Sequence, residues 1–232
     1  MNFKILSNKA NFIEEISYNL FYDGKDFSKN LVVFPGKRPK LFLNKILFEK
    51  QNNAFIPPVC FSVADFIDFL YEEKLSRNDK KIDELDALAL LYEIHQKSPD
   101  KIGKDGYLPP DMFFSPGMKI FRDIEDFYIN LVPFSLVKQG EGLITEKIPA
   151  NTALKIGSLS RYYKEFDEKL ARLNLSTGGT RFKYVIDNFH KIDLCEFKQM
   201  FFCGIFVLNK AEEMLLKKVS DFDNVTFFFQ DG

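Results

Sequence analysis

Leu31-Val32-Val33-Phe34-Pro35-Gly36-Lys37-Arg38-Pro39-Lys40 decides how the rest of the chain reads. Four apolar residues in a row, ended by Pro-Gly, mark a strand buried on both faces, as strands of parallel sheets are. A helix is predicted from Pro39 to Lys50, with Leu43, Ile46 and Leu47 on one face and proline tolerated in its first turn. The polar turn between them sits at the carboxyl end of the strand, where open parallel sheets bind ligands.

Upstream, residues 2–6 read as a short strand, and Phe12, Ile13, Ile16 and Leu20 give Ala10–Phe21 a helical period. Downstream, Phe55–Phe61 is a third strand whose pairing Pro57 and Pro58 confine to its second half. Ser62-Val63-Ala64-Asp65 is a capping box opening a helix that turns Val63, Phe66, Ile67, Leu70 and Tyr71 inward. After Lys74 the pattern changes. From Ile82 to about His190 the readable pieces are helical, at Ile82–Lys97, Met118–Leu131 and Ser158–Leu173. The Gly/Pro-rich stretches 98–117 and 133–157 read as loops or linkers. Strand character returns at Met200–Ile205. A helix capped by Asn209, with Glu212 three residues on, and a last strand at Val225–Phe229 follow. The expectation is an α/β parallel-sheet core, 1–75 plus 196–232, with an all-helical insertion at 76–195.

With 46% hydrophobic and 28% charged residues the chain has material for a real core, and its net charge is −1. Such a balance gives no global pull towards nucleic acid, so any such contact must come from a local basic patch. Cys60, Cys195 and Cys203 are widely spaced and read as buried free thiols. His95 and His190 have no ligand-type neighbours, so neither metal nor cofactor is expected. The N-terminus lacks the apolar core of a signal peptide, and no apolar run approaches the roughly 20 residues of a membrane span. A cytoplasmic protein without membrane contact is expected.

A phosphate-binding loop after the first strand needs glycines to bring backbone N–H groups around the phosphates, then Lys and Ser/Thr. Here only Ser7-Asn8-Lys9 separates strand from helix, the first glycine of the chain is Gly24, and Lys9 reads as a solvated side chain. Gly24-Lys25 and Gly103-Lys104 are each followed by Asp, and Gly178-Gly179-Thr180 lies between helices. The fourth core strand ends Phe202-Cys203-Gly204-Ile205 without a carboxylate, and Cys203 reads as a small buried hydrophobe. In Arg122-Asp123-Ile124-Glu125-Asp126, Asp123 and Asp126 share a helix side and read as a solvated face. Lys37, Arg38 and Lys40 remain, of a type and in a place suited to phosphate oxygens.

Several segments, taken in order, resemble the N-terminal region of AddB-type helicase–nuclease subunits and related bacterial proteins of the PD-(D/E)XK nuclease family. Asn30–Arg38 is similar to that family's strand and turn in the position of helicase motif Ia, although Gly36 stands where many relatives have Asn. Val59–Phe66 looks like the segment in which a strand ends at Ser/Thr and a helix begins. Ile120–Asp126 resembles a signature of the helical insertion. Phe202–Glu213 resembles the segment replacing the acidic motif of active helicases, and Phe227–Asp231 the strand leading towards motif III.

The resemblance implies a P-loop-NTPase-like fold, that is, a RecA-like helicase 1A domain with a 1B-like insertion. Lys9, Cys203 and Gly204 would then stand at degenerate motif positions. It also implies a role in double-strand-break repair and recombination, beside an AddA-type helicase–nuclease partner. Lys37, Arg38 and Lys40 would contact DNA phosphates, with Ser62 donating a hydrogen bond at the same edge. The family's nuclease residues and iron–sulfur cysteines lie beyond Gly232, so this stretch would be a non-catalytic scaffold. An end at a strand, just before a motif, suggests a truncated or fragmented product. Two other readings are a protein-interaction module without a DNA role and a small-molecule α/β enzyme using the strand-end crevice.

Overall fold

The computed structural model describes residues 2–22, 26–97, 108–141, 150–206 and 208–231, which form two compact units, 1–76 with 185–232 and 77–184. In the first unit, β1 (Asn2–Leu6) leads to α1 (Phe12–Tyr22), β2 (Asn30–Phe34) to α2 (Arg38–Gln51), and β3 (Val59–Ser62) to α3 (Val63–Phe69). Each element lies within a few residues of its expected place. β3 starts after Pro58, since proline cannot donate to the ladder. The last turn of α3 widens into a π-helical stretch, Leu70–Lys74, that periodicity does not foretell.

In the second unit, β4 (Lys80–Lys81), α4 (Glu84–Lys97), α5 (Pro110–Ile129), α6 (Phe134–Glu141), α7 (Ala150–Leu173), β5 (Leu175–Ser176) and the start of α8 (Gly178–Asn188) follow in turn. Three expectations are corrected here. The unit is not all helical: β4 and β5 pair in parallel over two residues each. α5 begins at Pro110 and runs through Pro116-Gly117, a pair that reads as a linker. Gly117 is buried because α4 packs there; a Cβ on it would lie 2.4 Å from Leu88 Cδ1. The 133–157 stretch holds α6 and the first two turns of α7, while residues 98–107 and 142–149 lie outside the described ones.

The chain re-enters the first unit within α8, where Val185 and Ile186 are buried, as is Phe189 in the 3-10 turn that follows. It continues through β6 (Gln199–Cys203), α9 (Lys210–Val219) and β7 (Val225–Gln230). The capping box of α9 is complete: Asn209 Oδ1 accepts from the Glu212 amide at 2.8 Å and Glu212 accepts from the Asn209 amide at 3.1 Å.

The five long strands form one sheet, β1-β7-β6-β2-β3, with every pairing parallel. All five residues of β2 are buried, as a central strand requires. Alternation sends Val32, Phe34, Phe201, Cys203 and Phe228 to the face that packs on Ile16 and Leu20 of α1 and Leu43 and Leu47 of α2. Phe202 lies on the opposite face, edge-on to Phe66 of α3 at 5.7 Å.

Candidate nucleic-acid interface

The strand order fixes where a ligand can sit. From β2 the chain crosses outward to β3, whereas from β6 it crosses the other way to β7. The connections leaving the carboxyl ends of the neighbouring strands β2 and β6 therefore run in opposite directions, which makes the crevice where open α/β sheets take ligands. On one side stand Pro35, Gly36, Lys37 and the start of α2; on the other, Cys203 and Gly204.

The charge pattern at α2 departs from the rule that acids stabilise helix N-termini. Among the described helices, α1, α3, α4, α5 and α9 each carry acid in the first turn. α2, α6, α7 and α8 carry none; of these four, α2 is the one with two cations in that turn, and Lys37 stands at its N-cap with no side-chain capping bond. Arg38 and Lys40 follow, both exposed, and neither has an ion pair among the described residues. Lys37, with a side chain 79% exposed, reaches Asp65 Oδ1 at 3.1 Å.

Asp65 links this turn to β3. The Ser62 hydroxyl donates to Asp65 Oδ2 at 2.7 Å and accepts from the Asp65 amide at 3.2 Å, capping α3. Partial burial raises the Asp65 carboxyl, but the bonds from Ser62 and Lys37 and the Lys37 charge outweigh it, leaving the group below its ordinary value. Lys37 and Ser62 thus come together around the Asp65 carboxylate. Ser62 itself is buried and its one proton is committed to Asp65, so it is not placed to donate outward. The signal for Asp65 was present in the Ser62-Val63-Ala64-Asp65 box.

Cys203 is fully buried, and burial pushes its thiol well above the ordinary range. Cys60 on β3 is likewise pushed up, to about 11, by burial, against the lowering field of Lys40. Neither is available as a nucleophile. Cys195, expected to be buried, is exposed, and its thiol donates to Asp193 Oδ2 at 3.1 Å. Gly204 has φ of +68°, and a Cβ there would lie 3.4 Å from Phe12. It turns the chain sharply at the end of β6, a conformation that L side chains adopt at a cost.

Lys9 lies exposed in the β1–α1 connection, apart from the basic turn. Its amide points to Ser7 Oγ at 3.3 Å and the Ala10 amide to Ser7 O at 2.9 Å, so this short connection closes on itself. A depression over the tip of β1 is lined by Asn8, Phe206, Gln230 and Asp231, and its one charged lining group is a carboxylate.

Within the Asp123–Asp126 cluster, Glu125 holds a neighbouring helix in place. It accepts from the Gly179 amide at 2.8 Å and from Thr177 Oγ1, holding the N-terminus of α8. Burial raises its carboxyl above the ordinary value, and these two bonds only partly offset that.

Among the described residues no group of three or more His, Cys, Asp or Glu is placed to hold a metal ion, and no helix is long and apolar enough to cross a membrane. No protein-family model matches the chain, and no curated protein matches it.

Proposed function

We propose that this chain is a non-catalytic, RecA-like scaffold of a bacterial helicase–nuclease, of the AddB type, which holds DNA by its backbone and docks an AddA-type partner in double-strand-break repair. The observation that carries the DNA part is the inverted charge pattern of α2: three cations at the positive end of a helix, at the crevice between β2 and β6. Helix stability does not account for them, whereas a phosphate oxyanion would be met by both the cations and the helix dipole. In chain order the sheet runs 1-5-4-2-3, unlike the dinucleotide-binding 3-2-1-4-5-6 or the flavodoxin-like 2-1-3-4-5 order. The last strand's place between the first and fourth supports the RecA-like reading. The closed β1–α1 turn and the acidic depression beside it support the absence of nucleotide chemistry. The AddA-type partner follows from the sequence resemblance.

The test replaces Lys37, Arg38 and Lys40 by alanine and follows a labelled single-stranded oligonucleotide by fluorescence anisotropy over a salt series. Each lost phosphate contact lowers the slope of log K against log salt by about 0.7, so three lower it by about 2 and weaken binding about 50-fold at 0.15 M salt. Unchanged affinity and slope would remove this turn from the interface.

A further inference from the structure

We propose that the second unit carries its own phosphate-binding groove, between α4 and α7, which takes the backbone of duplex DNA. The groove has a volume of about 610 Å³, and among the described residues Ile94 is its one apolar lining residue. Its α7 wall is a single helical stripe in which Arg161, Lys164, Lys169 and Arg172 supply the cations. From Arg161 to Arg172, eleven steps of helix rise span about 16 Å. That length faces several consecutive phosphates of one strand, which lie about 3.4 Å apart along a duplex axis.

Charge is unevenly matched along it. Glu165 lies 3.8 Å from Arg161 and Glu168 lies 3.7 Å from Lys164, so that end is balanced. At the other end one carboxylate, Glu93, faces Lys97, Lys169 and Arg172. Lys169 is 7% exposed and its ammonium bonds directly to Glu93. Lys97 and Arg172 have no ion pair among the described residues and reach Glu93 through their field alone. The bond from Lys169, then the three cationic charges, hold the Glu93 carboxyl below its ordinary value. Lys97 and Arg172 lie in the last turns of their helices, where the dipole favours cations. That explains why each is tolerated, but not why both converge with a buried lysine on one carboxylate in an open groove.

Three cations around one carboxylate leave two positive charges in mutual repulsion, which an incoming oxyanion relieves. Among the described residues no aromatic side chain lines the groove, so these offer no platform for unstacked bases, and duplex backbone fits better than a single strand.

The inference shares the nucleic-acid reading above but uses different residues. The experiment measures binding of a blunt 20-base-pair duplex to the intact chain over a salt series. It compares Lys97→Ala/Arg172→Ala, Glu93→Gln and Lys37→Ala/Arg38→Ala/Lys40→Ala. Two lost contacts lower the salt slope by about 1.8 and weaken binding about 30-fold at 0.15 M salt. Glu93→Gln, which removes the competing anion, tightens binding, a change opposite to that of a merely disruptive substitution. Unchanged affinity in the double variant, or weaker binding in Glu93→Gln, overturns the groove. The same result alongside a weakened β2–α2 variant overturns the groove alone.

Discussion

Reversing the charges that open α2 should make the protein more stable and less able to bind DNA. In Arg38→Glu/Lys40→Glu each substitution removes a cation from the positive end of a helix dipole and places an anion there. The two effects are worth about 0.3–1 kcal/mol each at an exposed position. Both residues are exposed and have no ion pair among the described residues, so no described pairing is lost. Taking the lower part of that range gives about 1 kcal/mol per site and about 2 kcal/mol for the pair. For a chain of this length each kcal/mol moves the midpoint of thermal unfolding by about 2–4 °C, so a rise of roughly 4–8 °C is expected. Alanine at the two positions should give about half of it. The gain should shrink in 1 M salt, where charges are screened beyond about 3 Å. The assay is thermal unfolding followed by circular dichroism at low and high salt, with oligonucleotide anisotropy on the same samples. A lower midpoint would refute the reasoning, since the cations would then be holding something in the fold. A higher midpoint with unchanged DNA affinity would refute the functional half.

Two further outcomes follow from the geometry. Gly204→Ala forces a side chain into the left-handed region at φ +68° and should destabilise by about 1–2 kcal/mol in urea titration, with Asn tolerated better than Ala. Loss of stability equal in both would mean that the contact with Phe12, rather than backbone conformation, sets the requirement. Glu125 has a folded-state pKa raised above its unfolded value, so between these two values the folded state binds more protons than the unfolded one. Its contribution to stability is therefore greatest at low pH and falls as pH rises from about 4.5 through the folded value. Glu125→Gln should flatten that part of the stability–pH curve. Glu125→Ala, which strands the Gly179 amide, should cost about 1–3 kcal/mol at all pH values. A Gln variant with the wild-type pH slope would show that another group carries it.

Much of the first unit was written in local pattern. The unbroken apolar run at Leu31–Phe34, the proline limit on β3 and the Asn209 capping box each depend on residues a few positions apart, and each stands in the structure as read. Local reading failed where a partner from elsewhere in the chain reverses the meaning of a residue. Pro116-Gly117 signals a loop by itself. It is helix because Gly117 lets α4 approach and because the rest of α5 buries Phe113, Ile120, Phe121 and Ile124. Glu125 drew no role from local pattern, because its partners lie more than fifty residues further on. Cys195 looked like a core thiol, yet its neighbours set it outside.

The sequence by itself determined the alternation of elements, the basic turn at Lys37–Lys40, and a first strand–helix connection too short and too poor in glycine to wrap a phosphate. These follow from side-chain periodicity and backbone chemistry within one or two turns. Only the tertiary structure decided the strand order, and with it that the basic turn lies where the connections leaving β2 and β6 run in opposite directions. It also decided that Asp65 joins Lys37 to Ser62, and that a buried Lys169 meets Glu93 across two helices. Strand order and such pairings are set by the total burial of many residues remote in sequence, and no local window contains that sum.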